Sequence, residues 1–176
     1  MEVFWEKGYE GASLDDLTAA MGINRPSLYA AFGNKEQLFR KVLDRYGGCV
    51  GYFGDALKAA TAREVAERLL YGAVEMTTTP RQPRGCLLVQ AALACGDEAK
   101  PVREELSSRR DAGQAAVRKR FERAKKDGDL GADVDPADLA RYVVTVLRGI
   151  SVQAADGASR AQLRRVAETA LRAWPA

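Results

Sequence analysis

The side chains best suited to chemistry in this sequence are Arg25, Ser27, Tyr29 and Lys35, four hydrogen-bonding groups crowded into one short stretch. Between Asn24 and Lys41 the charged residues are Arg25, Lys35, Arg40 and Lys41 against Glu36 alone, four cations minus one anion, a local net of +3. The rest of the first 46 residues is acidic. A guanidinium and a hydroxyl can read base edges, and a phenol and an ammonium can donate to flanking phosphates, so this cluster points to recognition of nucleic acid. Catalysis has little to work with. The sequence contains no histidine, which removes imidazole acid–base chemistry, histidine metal ligands and histidine-activated nucleophiles. An enzyme using Cys86 as nucleophile would lack its base. Cys49, Cys86 and Cys95 are odd in number and widely spaced, which argues against a disulfide framework or a zinc cluster. The expectation is no catalytic residue, no metal and no cofactor.

These groups need a frame to hold them. The chain has 176 residues and 19.1 kDa, enough for one or two domains with a buried core. With 47% hydrophobic and 29% charged residues its composition is globular. A net charge of +3 and a pI near 8.8 are mild, so a nucleic-acid surface has to come from local clustering. Charges or glycines break every apolar run before it could cross a bilayer, and no secretory segment heads the chain; the expectation is no membrane and a reducing cytoplasmic setting.

Apolar residues recur at helical spacing and nowhere alternate as in a half-buried strand, which predicts an all-α fold. Asn34 with Gln37, Thr61 with Glu64 and Ser159 with Gln162 have capping-box spacing, Ser13 with Asp16 is a looser version, and Asp135-Pro136 is a further start. Stops fall at Gly22, Gly33, Pro80 to Gly85, Gly128 and Gly157. The expected helices run from Met1 to Lys7, Leu14 to Met21, Arg25 to Phe32, Lys35 toward Ala60, Ala62 to Thr78, Cys86 to Ala94, Pro101 to Lys126, Pro136 to Ala154 and Arg160 to Trp174.

Ser13 to Phe32 reads as helix, tight glycine turn, helix, the arrangement that presents a second helix to the DNA major groove. Leu14, Leu17, Met21, Ile23, Leu28 and Phe32 could lock the pair onto Val3, Phe4 and Trp5. Any two short amphipathic helices joined at a glycine share this bare pattern; the basic, hydroxylated first turn of the second helix favours the DNA reading.

The stretch from Trp5 to Phe39, WEKGYEGASLDDLTAAMGINRPSLYAAFGNKEQLF, closely resembles the DNA-binding domain of the TetR/AcrR family of bacterial transcriptional regulators. The motif-level resemblance covers about residues 1 to 45. It implies two domains, a helix-turn-helix DNA-binding domain over 1–45 and a larger helical ligand-binding and dimerisation domain over 46–176. It further implies a homodimer on double-stranded operator DNA, acting as a repressor released by a small-molecule effector. By position, Ser13, Leu14, Arg25, Pro26, Ser27, Tyr29, Ala30 and Lys35 match DNA-contacting places in the family pattern. Ala30 and Ala31 depart from it, since larger polar or aromatic residues are common there. The resemblance also implies that Met1 lies inside the first helix, leaving open a longer natural chain whose missing basic arm would weaken DNA binding here. A helical dimeric adaptor without DNA binding is the competing function.

In the larger domain, Val65, Leu69, Ala73 and Met76 form one apolar face and Val102, Leu106, Val117, Phe121 and Ala124 another, both core faces in the first instance. Leu69, Met76, Cys86, Leu88, Phe121 and Tyr142 are the candidates for an effector pocket, which between helices is mostly apolar. Cys86 follows a Pro/Gly loop and opens a helix, where the dipole lowers a thiol pKa. Some TetR-family regulators that sense electrophiles or oxidants have a similar Gly-Cys-Leu context; the alternative is a buried structural cysteine. The basic run Arg118 to Lys126 reads as a solvated helix face rather than a second nucleic-acid surface. The last two helices carry apolar faces, including Tyr142, Val146, Val166 and Leu171, suited to a two-fold four-helix interface. Gly47, Gly48, Gly51 and Gly54 would cost a continuous helix about 3 to 4 kcal/mol, so they mark either a break or close helix packing.

Overall fold

The computed structural model describes residues 1–49, 51–91 and 99–175. Every regular element among them is a helix: α1 (Glu2–Gly11), α2 (Leu14–Met21), α3 (Arg25–Phe32), α4 (Lys35–Cys49), α5 (Gly51–Ala56), α6 (Ala62–Thr77), α7 (Leu87–Gln90), α8 (Lys100–Lys126), α9 (Pro136–Ala155) and α10 (Arg160–Arg172). The expected helix from Cys86 to Ala94 is described only as far as Ala91; Cys95 lies outside the described residues, as does the side chain of Cys49.

The chain forms two compact units, the described residues of Met1–Cys49 with Cys86–Ser108, and those of Val50–Gly85 with Arg109–Ala176. The described residues of Cys86–Ser108 thus group with those of the first 49 residues. No local pattern signals this, because α7 joins unit 1 by tertiary packing.

In unit 1, Phe4, Leu28, Phe39, Leu43 and Leu87 are wholly buried, with Trp5, Leu17 and Tyr46 nearly so. Phe4 meets Phe39 edge-on at 5.0 Å and Trp5 meets Tyr46 edge-on at 5.0 Å, tying α1 to α4. Met21, expected in this core, is exposed: it sits on the last turn of α2, where Gly22 turns the chain away.

In unit 2, Leu69, Leu70, Val74, Val117, Phe121, Ile150 and Leu163 form the centre of the core, and Trp174 closes on Phe121 at 5.8 Å. Capping boxes at Thr61 and Ser159 start α6 and α10, and Asp135 accepts from the Ala137 and Asp138 amides to start α9. Side chains pin the joints. Ala62 N donates to Asp129 Oδ2 at 2.6 Å, Arg120 donates to the carbonyls of Ala59 and Ala60, and Arg84 donates to those of Ala154 and Ala158.

The expected long helix toward Ala60 is described as α4 and α5, with Val50 between them outside the described residues. Close packing against the described residues does not account for the glycines, because a Cβ at Gly47, Gly48, Gly51 or Gly54 would meet none of their atoms within 4 Å.

Candidate nucleic-acid interface

The geometry of the site begins with two helix caps. Ser13 Oγ accepts from the Asp16 amide at 3.0 Å while the Ser13 amide donates to Asp16 Oδ2 at 3.0 Å, a complete capping box that starts α2. Lys7 Nζ closes on Asp16 Oδ1 at 2.6 Å, and these partners, Lys7 first and then Ser13, hold the Asp16 carboxyl down at a pKa of about 2. Gly22 ends α2 in the left-handed conformation, φ 66° and ψ 30°, and its amide and that of Ile23 return to the Ala19 and Thr18 carbonyls. Two residues later Asn24 caps α3, its Oδ1 accepting from the Ser27 amide at 2.9 Å, with Pro26 in the first turn. The turn between the helices is therefore fixed by local hydrogen bonds.

Leu28 is the anchor of α3, wholly buried while Arg25, Pro26, Ser27, Tyr29 and Ala30 stay exposed around it. These five form a continuous outer surface over the first turn and a half of α3, since positions three and four apart share a helix face. Tyr29 is 45% exposed. Ser13 is exposed with its hydroxyl committed to the cap, and Leu14 is half-buried beside it.

The cations are more constrained than their sequence positions suggest. Arg25 is gripped by Asp15, which bonds both Nε and Nη2 and raises the guanidinium pKa further above its ordinary value. Lys35 Nζ lies over the Tyr9 ring at 4.7 Å and donates to the Glu10 carbonyl at 3.4 Å. Burial there lowers its pKa. Lys41 lies over Phe32 at 5.4 Å and Arg40 pairs with Glu36 at 2.9 Å. Asp15 and Tyr9 are not among the residues singled out from sequence, because partners separated by 10 and about 25 positions leave no periodic signal.

The effector candidates lie in both units. Leu69 and Phe121 are wholly buried and Met76 is half-buried in unit 2, where Tyr142 is 40% exposed. Cys86 and Leu88 belong to unit 1, and Cys86 Sγ accepts from the Tyr46 hydroxyl at 3.2 Å. On the outer face of α9 and α10 is an open groove of about 450 Å³ lined by Tyr142, Val146, Arg165, Val166 and Thr169 among others. Leu171, expected on that outer face, is 6% exposed and belongs to the unit 2 core. The basic run on α8 is tied down within unit 2: Arg118 pairs with Glu122, Arg123 with Asp127, and Lys125 donates to the Ala132 and Val134 carbonyls.

Among the described residues no cluster of acidic, cysteine or histidine side chains could hold a metal ion, and no helix is long and apolar enough to cross a membrane.

Comparison with known proteins bears directly on this capped helix pair. The family described as bacterial regulatory proteins, tetR family, matches residues 1–42, and that described as tetracyclin repressor-like, C-terminal domain, matches residues 66–173. The HTH-type transcriptional repressor ComR of Escherichia coli is 32% identical over 99% of this chain and 85% of its own. The chain belongs to the TetR family of bacterial regulatory proteins. A second relative, the HTH-type transcriptional regulator YezE of Bacillus subtilis, is 32% identical over 81% of this chain and 75% of its own. A solved structure of the TetR family regulator CifR, in a cysteine-substituted form complexed with 26-bp double-strand operator DNA, is 50% identical. It covers 99% of this chain and 92% of that one with a TM-score of 0.94. The TetR-family chain is thus an all-helical, DNA-binding transcriptional regulator with α2 and α3 as its helix-turn-helix. The relatives are regulators of transcription rather than enzymes.

Proposed function

We propose that the protein is a homodimeric, cytoplasmic repressor that acts by binding alone, laying α3 of each subunit in the major groove of a two-fold symmetric operator. Arg25 and Ser27 meet base edges there, Pro26 and Ala30 face the groove, and Ser13, Leu14, Tyr29 and Lys35 approach the flanking phosphates. The observation that carries this reading is the exposed first turn of α3 on a helix locked at its start by Asn24 and underneath by Leu28. The operator complex of the similar CifR supports it. The groove over Tyr142, Val146 and Val166 is the surface on which a second copy closes a four-helix interface.

A small apolar or amphipathic molecule bound in unit 2, near Leu69, Met76, Phe121 and Tyr142, releases the operator by favouring the DNA-incompetent state by about 1 to 3 kcal/mol. Cys86, with Leu88 beside it in unit 1, is the thiol through which an electrophile would act. The test is selection of duplexes from a randomised pool by the purified protein. Enrichment of a two-fold symmetric sequence, with loss of binding in Ser27→Asp, is the expected result. An unenriched pool would reject the reading.

A further inference from the structure

Arg25 opens α3 and Asp15 lies in the first turn of α2, so the tight turn brings two residues ten positions apart side by side. Arg25 Nε donates to Asp15 Oδ1 at 3.2 Å, and Nη2 donates to Oδ1 at 2.8 Å and to Oδ2 at 2.9 Å. All three bonds leave from the lateral edge of the guanidinium, the edge that carries Nε. The end edge, Nη1 with the outer hydrogen of Nη2, has no hydrogen-bond partner among the described residues. Guanine presents O6 and N7 side by side in the major groove, and an arginine reads them with two parallel N–H donors. The end edge has that geometry. We propose that Asp15 is a positioning residue for base reading: it clamps Arg25 by the lateral edge and so presents the end edge to a guanine of the operator. This rests on the reading of α3 as the helix that enters the groove.

The energetics suit such a role. In the free protein both side chains are more than half exposed, so the pair contributes little to stability and its removal leaves the fold intact. An arginine carries large rotamer entropy, and a clamp that orders it beforehand removes that cost from the moment of binding. When DNA excludes water from the turn, the effective dielectric falls and the clamp tightens. An unpaired carboxylate at the start of α2 would repel phosphates, whereas the ion pair compensates its charge.

The test uses duplexes selected from a randomised pool by the wild-type protein, together with every single base-pair change in them. Affinities are measured for wild type, Arg25→Ala, Asp15→Ala, Asp15→Asn and the double alanine variant. Arg25→Ala should lose about tenfold or more of the preference for guanine at one pair per half-site. Asp15→Ala should lose preference at that same pair while binding scrambled duplex as well as wild type or better, because an anion has been removed. The double variant should discriminate no worse than Arg25→Ala. Asp15→Asn keeps one oxygen to hold the lateral edge and should retain part of the preference. If Arg25→Ala abolishes the preference while Asp15→Ala keeps it, or changes affinity for all sequences by one factor, the clamp is overturned and the recognition helix stands. If Arg25→Ala itself preserves every preference, the base-reading assignment of Arg25 falls, and the clamp with it.

Discussion

The same substitution, glycine to alanine, should have opposite signs at two places in unit 1. Gly22 has φ 66° and caps α2, and a Cβ there would meet no atom of the described residues within 4 Å. The cost of Gly22→Ala is therefore backbone strain alone, about 1 to 2 kcal/mol for an L-residue held left-handed. Asparagine tolerates that conformation better, so Gly22→Asn should cost less. Gly47 and Gly48 lie within α4 without positive φ, and their Cβ positions are also open. Alanine there removes unfolded-state entropy and should stabilise by about 0.5 to 1 kcal/mol at each position. The two classes then differ by at least about 1.5 kcal/mol, with neither steric overlap nor any change of packing contributing. Urea unfolding gives the totals. Native-state hydrogen exchange of the Leu17 and Leu28 amides, which bond the Ser13 and Asn24 carbonyls, localises the effect to the helix pair. Unchanged exchange in Gly22→Ala, or faster exchange in Gly47→Ala, would refute the assignment of these costs to φ.

Three further outcomes follow from the geometry. The folded Asp16 carboxyl lies at about 2 against an ordinary 3.8, so its contribution to stability is whole above 3.8 and is lost as pH falls through about 2; NMR titration should find it returning toward 3.8 in Lys7→Ala. Val146→Asp with Val166→Asp should give folded monomers in sedimentation, because a charge in an apolar interface is left desolvated and unpaired, whereas Leu171→Asp should unfold unit 2. A monomeric wild type at micromolar concentration would contradict this. In a background with Cys49→Ser and Cys95→Ser, alkylation of Cys86 should break its bond with the Tyr46 hydroxyl and weaken operator binding, and Cys86→Ser should be insensitive to the reagent. Equal loss of binding in both proteins would place the effect elsewhere.

What is legible in the sequence and what is hidden divide by range. The caps at Ser13, Asn34, Thr61, Asp135 and Ser159 and the glycine stops Gly22, Gly33, Gly128 and Gly157 rest on hydrogen bonds or φ values within a few residues, and all are present. The helix pair and the outward set on α3 are legible for the same reason. The expected end of the first helix at Lys7 meets a break of the helical path at Gly8, φ 70°, whereas the resumption of α1 to Gly11 has no local signal. The grouping of Cys86–Ser108 with the first 49 residues depends on tertiary packing, as do Tyr9 beneath Lys35 and the Tyr46–Cys86 bond. The outward and inward faces of α10 are both apolar enough to read as interface, and only burial separates Leu171 from Val166.

The most direct test of the account is binding of wild type, Arg25→Ala and Lys35→Ala to selected and scrambled duplexes across a salt series. Arg25→Ala should weaken the selected duplex by about 1 to 3 kcal/mol and relax its sequence preference. Lys35→Ala should weaken both duplexes alike and lower the salt slope by about one unit for each lysine–phosphate pairing removed, about two for a symmetric dimer. Equal weakening of both duplexes by Arg25→Ala, or an unchanged salt slope in Lys35→Ala, would contradict the division of the interface into a reading arginine and an anchoring lysine.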